Sequence, residues 1–409
     1  MRDVLPPDSA RWRRFVDAFA AVVEPAGYGQ VIPPLLEDLG VFHRIGDATD
    51  VVTKEMYDFV DKGGRHVALR PEQTASVCRA FVQHHPVTPW KVWYAGPNFR
   101  YEKPQRGRFR QFDQVGVEVL GVDDPYLDAE VISLAWQFFQ RLGLSRVQLL
   151  VNSLGEPADR ARYVEALRDH FTGAVSLSPE ARATLERNPL RVLDSKRDAD
   201  AAAIAQAPRI DTFWSEDART HFATVCAGLD ALDVPYAVAP LLVRGLDYYR
   251  RTTFEFVGGT LDSAQNALGG GGRYDGLVED LGGPPTAGIG FAIGVDRTLI
   301  ACDDEAVFPA AVGSPEVFVV DTTGGREALV LTNRVRAAGW RTERAFDGRS
   351  MKSQMKAADR SGATVAVIVG GDELAAGVVT VRPLRHTDHP QQQVPLDQLI
   401  DHLHKVLTS

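Results

Sequence analysis

The chain has 409 residues, 45 of them basic and 54 acidic, for a formal net charge of −9, and 44% are hydrophobic. This length and composition call for roughly two to three globular domains, and the acidic balance argues against a general polyanion binder, so any nucleic-acid contact must be local. Cys78, Cys226 and Cys302 lie far apart with no Cys-x-x-Cys, against a disulfide framework or zinc site and in favour of a reducing cytoplasm; neither a signal-type apolar core nor a run of about 18 apolar residues is present, so no membrane span is expected.

Pro6-Pro7-Asp8-Ser9 reads as a helix start, and Trp12, Phe15, Val16, Phe19, Val22 and Val23 recur on one face until Gly27. Tyr28–Glu37 is strand-like but carries Pro33 and Pro34, which places it at a sheet edge or an interface. Within Asp47–Arg70, two alternating runs flank the turn Asp61-Lys62-Gly63-Gly64 and predict a hairpin. It leads into Arg70-Pro71-Glu72-Gln73-Thr74, where a rigid proline presents a carboxylate and a hydroxyl two residues apart. Glu72 suits an ammonium group shared with Thr74; Thr74 equally suits the capped start of a helix over Ala75–Val82.

The stretch Asn98–Gly121, NFRYEKPQRGRFRQFDQVGVEVLG, follows the apolar run Val92–Phe99. Its loop sets Arg100, Lys103, Arg106, Arg108 and Arg110 against Glu102. The return half alternates, with Val115, Val117 and Val119 on the core side and Gln114 and Glu118 sharing the other face across Gly116. A missing side chain between an amide and a carboxylate lets a ligand approach the sheet, and the arginines beside it suit an anionic one such as a nucleotide.

Pro125–Leu142 is predicted as a helix and Val147–Val151 as a strand. Residues 156–233 are rich in Ala, Arg, Asp and Glu, broken by Pro179, Pro189 and Pro208, and read as a helical insertion. Tyr236–Val243 returns to strand character. In Leu242–Phe256, Arg244 and Gly245 form a tight loop, Tyr248 and Tyr249 offer a ring wall and a phenol or simply core packing, and Thr252–Val257 is a strand. Gly269–Gly276 completes neither G-x-G-x-x-G nor a P-loop; its four glycines suit a flexible loop or close backbone approach to a flat ligand. Gly288–Arg297 runs from a strand into a helix. Beyond a linker over Asp303–Ser314, residues 315–409 alternate strands Val317–Val320, Arg341–Ala345, Thr364–Val369 and Val378–Val381 with helices Glu327–Ala338, Met351–Ala358 and Leu396–Leu407, with Gly370–Asp372 as a loop. This order predicts a small α/β domain with a largely parallel sheet. Its near-neutral charge beside an acidic remainder leans toward RNA contact.

Taken together, RPE-x-T at Arg70–Thr74, FRYE and PQRGRFRQF running into QVGVEVLG, NPLRVLDSK at Asn188–Lys196, RGLDYY at Arg244–Tyr249 and GIGFAIGVDR resemble the motifs of class II aminoacyl-tRNA synthetases, most closely histidyl-tRNA synthetases. The chain departs from the family's usual wording at Tyr101, Asp113 and Gly270. The resemblance implies an α+β fold: a class II synthetase antiparallel sheet flanked by helices over 1–310, with the helical insertion at 156–233 leaning on the acceptor stem of tRNA, then a C-terminal α/β anticodon-binding domain over 315–409. It implies a homodimer, with Pro34 as the motif 1 interface proline.

It also implies the chemistry. L-Histidine is activated by ATP to histidyl-adenylate and transferred to the 3′ end of tRNA(His) in the cytoplasm. The substrate carboxylate is itself the nucleophile, so positioning and charge stabilisation carry the reaction. By resemblance, Glu72, Thr74 and Gln114 hold the amino-acid backbone, and Glu118, Tyr248 and Tyr249 read the imidazole. Arg100, Glu102, Arg108 and Arg297 hold ATP, and Arg244 sits on the α-phosphate and substrate carboxylate. Mg²⁺ bridges the outer phosphates without protein side-chain ligands assigned. The rival resemblance is to the non-catalytic regulatory subunit of ATP phosphoribosyltransferase, which has no domain like 315–409.

Overall fold

The computed structural model describes residues 1–44, 51–174, 177–244, 248–259, 266–310, 313–385 and 390–408. Gly245, Leu246 and Asp247 of RGLDYY, and the start of the Asp47–Arg70 stretch, lie outside the described residues. The chain divides into two compact units, Met1–Ala310 and Ala311–Ser409.

The first unit opens with α1 (Asp8–Val23), whose Phe15, Phe19 and Val23 are buried at helical spacing. A 3-10 turn follows and ends at Gly27, which takes the left-handed φ of +87° that a side chain would disfavour. Then come β1 (Gly29–Gln30), β2 (Leu36–Asp38), α2 (Leu39–His43), β3 (Tyr57–Val60), β4 (His66–Leu69), α3 (Thr74–His84), β5 (Trp90–Phe99), β6 (Gln111–Leu120), α4 (Pro125–Arg141) and β7 (Val147–Ser153). Four helices follow: α5 (Pro157–Gly173), α6 (Pro179–Arg187), α7 (Asp198–Ala205) and α8 (Glu216–Ala231). The unit closes with β8 (Ala237–Val238), β9 (Arg250–Gly258), β10 (Ala267–Arg273), α9 (Leu277–Asp280), β11 (Gly288–Gly294) and α10 (Val295–Asp304).

The main sheet runs β1-β5-β6-β11-β10-β9-β7-β8, and β2-β4-β3 form a small second sheet containing the predicted hairpin. From β5 to β7 every pairing is antiparallel; only the two-residue edge strands β1 and β8 pair in parallel. One sheet face is sealed by α1, α4 and α8, where Phe15, Phe19, Phe138, Phe222 and Leu229 meet Val115, Val117, Val119, Phe254 and Ile289. The other face carries α3 and a separate apolar cluster shared by α5, α6 and Tyr248, Tyr249 and Tyr274.

Four local expectations change. The strand expected over Tyr236–Val243 shrinks to β8, because Pro235 and Pro240 bracket it and supply no ladder donor. The strand predicted over Val147–Val151 runs on to Ser153. Gly269–Arg273 is a central strand rather than a loop: a Cβ at Gly271 would sit 1.9 Å from the Gly290 carbonyl, so the strands pair more closely than a side chain permits. Finally, α8 lies inside the expected insertion by sequence, yet its Phe222, Val225 and Leu229 join the main core beside α4.

In the second unit, β12 (Val317–Asp321), α11 (Arg326–Ala337), β13 (Thr342–Arg344), α12 (Met351–Arg360), β14 (Val365–Val369), α13 (Gly371–Ala375), β15 (Val378–Pro383), β16 (Gln392–Pro395) and α14 (Leu399–Thr408) build a sheet ordered β13-β12-β14-β15-β16. Both faces of β12 and β14 are buried, which suits their unbroken apolar runs. The sheet is only half parallel: β15 and β16 join it antiparallel. The polar run Gln392-Gln393 hides β16 from a periodicity reading, and the expected loop at Gly370–Asp372 begins a short helix. Among the described residues, no helix is long and apolar enough to cross a membrane.

Candidate active site

The open face of the main sheet is floored by residues with little or no side chain. Gly272 pairs with Gly290, which pairs with Glu118; Gly270 pairs with Ala292, which pairs with Gly116, opposite Tyr94. Around this floor lies a cavity of about 330 Å³, within the range of small-ligand sites. Glu72, Thr74, Arg100, Glu102, Arg108, Gln114, Glu118, Arg244, Tyr248, Tyr249 and Arg297 all line it.

Glu118 stands at its centre, 1% exposed. Thr74 Oγ1 and Tyr94 Oη reach its Oε1 at 2.7 and 3.2 Å, and Tyr274 Oη reaches Oε2 at 2.6 Å. Burial outweighs these hydroxyls and, with Glu72 nearby, pushes the Glu118 carboxyl up to about 8. The neighbouring strands leave it only this space: a Cβ at Gly290 would lie 1.8 Å from Oε2, and one at Gly116 would lie 2.5 Å from the Tyr94 hydroxyl.

Glu72 accepts the backbone N–H groups of Thr74 and Ala75 at 2.9 and 2.8 Å, satisfying two orphan donors at the start of α3. The capping group is thus Glu72, which frees the Thr74 hydroxyl for Glu118. Tyr248 Oη also donates to Glu72, at 3.4 Å. Burial raises the Glu72 carboxyl above its ordinary range. Gln114 spends its carbonyl on Asn98 Nδ2 at 2.7 Å, leaving its amide nitrogen as a donor.

The four cations come from three segments. Arg100 donates to the Pro71 carbonyl at 2.9 Å and lies over the Phe112 ring. Arg108 pairs with Glu102 at 2.7 Å, holding the two arms of the β5–β6 loop together. Arg297 donates to the carbonyls of Gly107 and Ala267 at 3.2 and 3.0 Å, tying the start of α10 to that loop. Arg244 is ion-paired with Glu255, and its buried Nε has no hydrogen-bond partner among the described residues. Its guanidinium is pressed on the floor, since a Cβ at Gly270 would approach it to 2.9 Å, and the Tyr249 ring lies equally close above Gly272.

Sequence reasoning missed Tyr94, Tyr274 and Glu255. Tyr94 and Glu255 share the open sheet face through strand alternation, a signal available once β5 and β9 are assigned; Tyr274 follows the glycine run directly. The four guanidiniums suit a polyphosphate, and the buried carboxyls and amide suit a small ligand with amine or ring N–H donors. Among the described residues, no three potential metal-ligating side chains gather.

The family model described as histidyl-tRNA synthetase matches residues 1–298, and that of an anticodon-binding domain matches 316–406. The histidine–tRNA ligase of Rhodococcus erythropolis is 49% identical over 98% of this chain and 95% of its own. The crystal structure of apo histidyl-tRNA synthetase from S. aureus superposes with a TM-score of 0.82 at 35% identity, covering 98% of both chains. A Bacillus halodurans protein described as an ATP phosphoribosyltransferase regulatory subunit/histidyl-tRNA synthetase shares the fold at 22% identity, with a TM-score of 0.64 over 86% of this chain and 94% of its own.

Proposed function

The chain belongs to the histidyl-tRNA synthetase family, and from that premise we propose how its cavity serves histidine–tRNA ligation. The protein is a ligase that joins L-histidine to tRNA. ATP enters as its Mg²⁺ complex, the metal bridging the outer phosphates as part of the substrate. Arg100, Arg108 and Arg297 hold the phosphates and nucleotide, with Glu102 steadying Arg108. Glu72, Thr74 and Gln114 hold the α-amino end of histidine, and Glu118, with Tyr248 and Tyr249, accepts and encloses the imidazole. A carboxylate oxygen of histidine attacks the α-phosphorus, the bond to the bridging oxygen breaks, and pyrophosphate leaves. Arg244 meets the charge that builds there; a ribose hydroxyl at the 3′ end of tRNA then takes the histidyl group and AMP departs.

The observation that carries this reading is one cavity holding both a buried carboxyl ringed by three hydroxyls and a half-buried guanidinium whose Nε has no hydrogen-bond partner among the described residues. The first fits a ring N–H and the second an oxyanion. The matched domain at 316–406 favours this over the regulatory paralogue and supports tRNA as the partner. Exposed Ile32, Leu35 and Leu36, on either side of Pro33 and Pro34, support a homodimer through this edge. The three free cysteines support a cytoplasmic setting. Pyrophosphate exchange into ATP, screened across the twenty amino acids, tests the reading: exchange needs histidine and Mg²⁺, and exchange with another amino acid or with none refutes it.

A further inference from the structure

A second set of charges lies on the far side of the same sheet, outside the cavity. Arg273 and Asp128 are both fully buried there, with Arg273 Nε donating to the two Asp128 oxygens at 2.8 and 3.0 Å. The remaining guanidinium nitrogens donate to the carbonyls of Val122 and Asp124 at 3.3 and 3.1 Å and to Asp275 at 3.2 Å. Asp275 in turn accepts the Gly288 N–H at 2.9 Å, joining the end of β10 to the start of β11. His221 of α8 closes the cluster, its Nε2 3.6 Å from Asp128.

The residue after Arg273 is Tyr274, and successive residues face opposite sides of a strand. Arg273 enters the helix side while Tyr274 reaches Glu118 on the cavity side. Pairing and packing hold Tyr274 in part: its N–H donates to the Gly288 carbonyl at 2.9 Å and its ring is buried beside Tyr248. The four preceding residues, Gly269–Gly272, have no side chains to fix the strand's twist, and the register against β9 shifts between Gly272 and Arg273. The β9 side of the strand is therefore irregular just before Tyr274, while the β11 side stays paired through Arg273 and Ile289. Arg273 is the side chain that pins this point, and Asp128, whose carboxyl burial pushes up to about 7 against the pull of Arg273, is its fully buried partner. Stability alone is a poor account of such a pair, because well-packed apolar groups serve a core as well as a buried ion pair.

We propose that Asp128 is a positioning residue for histidine recognition: through Arg273 it fixes the strand end from which Tyr274 holds Glu118. This rests on the reading of Glu118 as the imidazole acceptor.

The test uses pyrophosphate exchange by the full chain. Asp128→Asn keeps the shape and removes the charge; it raises the KM for histidine about tenfold or more and leaves the KM for ATP within about twofold. Tyr274→Phe gives the same split. The double variant is no worse than Tyr274→Phe alone, because both changes interrupt one path. Multiplying single effects, or equal losses for both substrates, overturns the proposal. If Asp128→Asn does not fold, Asp275→Asn, at the partly exposed end of the cluster, gives a smaller split in the same direction with the same non-additivity; an unmoved or evenly moved pair of KM values overturns it instead. Absence of histidine-dependent exchange in the unmodified protein refutes the proposed activity, a result distinct from failure of the variants.

Discussion

Replacing Glu118 by glutamine changes one oxygen of the proposed imidazole acceptor into a donor. In the structure Oε1 serves Thr74 and Tyr94, and Oε2 serves Tyr274 at 2.6 Å. An amide can keep its carbonyl toward only one of these sides. Either the Tyr274 hydroxyl turns to accept, or the incoming ring N–H meets another donor. A hydrogen bond to a charged group contributes about 1.5–3 kcal/mol, and a buried donor left unsatisfied costs roughly 1–3 kcal/mol. Their sum, about 2.5–6 kcal/mol, lowers kcat/KM for histidine on the order of 10²- to 10⁴-fold. In the proposed reading ATP is held by other side chains, so its KM moves less than about threefold. The assay is pyrophosphate exchange with histidine and ATP varied in turn, at a pH above the Glu118 midpoint. Similar losses for both substrates, or a kcat/KM for histidine near that of the unmodified protein, refutes the assignment of Glu118 to the imidazole.

Arg244→Ala slows adenylate formation in single-turnover experiments by about 3–4 kcal/mol, as when an oxyanion donor is lost, with little change in thermal midpoint because Glu255 reaches water; a near-normal rate removes Arg244 from the chemistry. Deleting residues 315–409 leaves every cavity residue within the unit Met1–Ala310, so adenylate formation survives in part while aminoacylation at low tRNA concentration falls; an unchanged KM for tRNA in a truncation shown by sedimentation to be dimeric refutes a role for the domain in tRNA capture. Stability depends on pH through Glu118. Its folded value is raised from 4.5 to about 8, so between these limits the native state keeps a proton the unfolded chain has released, and stability falls as pH rises through that window. Glu118→Gln cannot ionise, so its thermal midpoint gains on that of the unmodified protein as pH rises from about 5 to about 8; parallel curves refute the shift.

The cavity was legible where chemistry sits on regular local patterns. Gln114 and Glu118 alternate against Val115, Val117 and Val119, and that period alone put the polar pair on the open face. Glu72 and Thr74 were placed together by a proline-led turn, although only the structure shows which of them caps α3. Long-range partners were not legible. Nothing local pairs Arg273 with Asp128, or Arg244 with Glu255, because those contacts depend on which strands become neighbours. Of the two readings open for the glycine run, the loop gives way for the same reason: without side chains the run has no periodicity to mark a strand, and the pressure that keeps it bare comes from β9 and β11. Likewise, α8 follows three insertion helices in sequence, but its apolar face is claimed by α4.

The bare floor has a consequence for resistance to inhibitors. A compound that rests on β10 and β11 touches peptide backbone, and the usual escape route is to add bulk beneath it. Here an added Cβ collides with the protein itself: with Glu118 at 1.8 Å from position 290, and with the Phe254 carbonyl at 2.6 Å and Arg244 at 2.9 Å from position 270. If Glu118 and Arg244 act as proposed, thickening the floor displaces them along with the drug, which leaves the rim, at Phe109, Phe112 and the loop arginines, as the surface on which selection against such a compound can act.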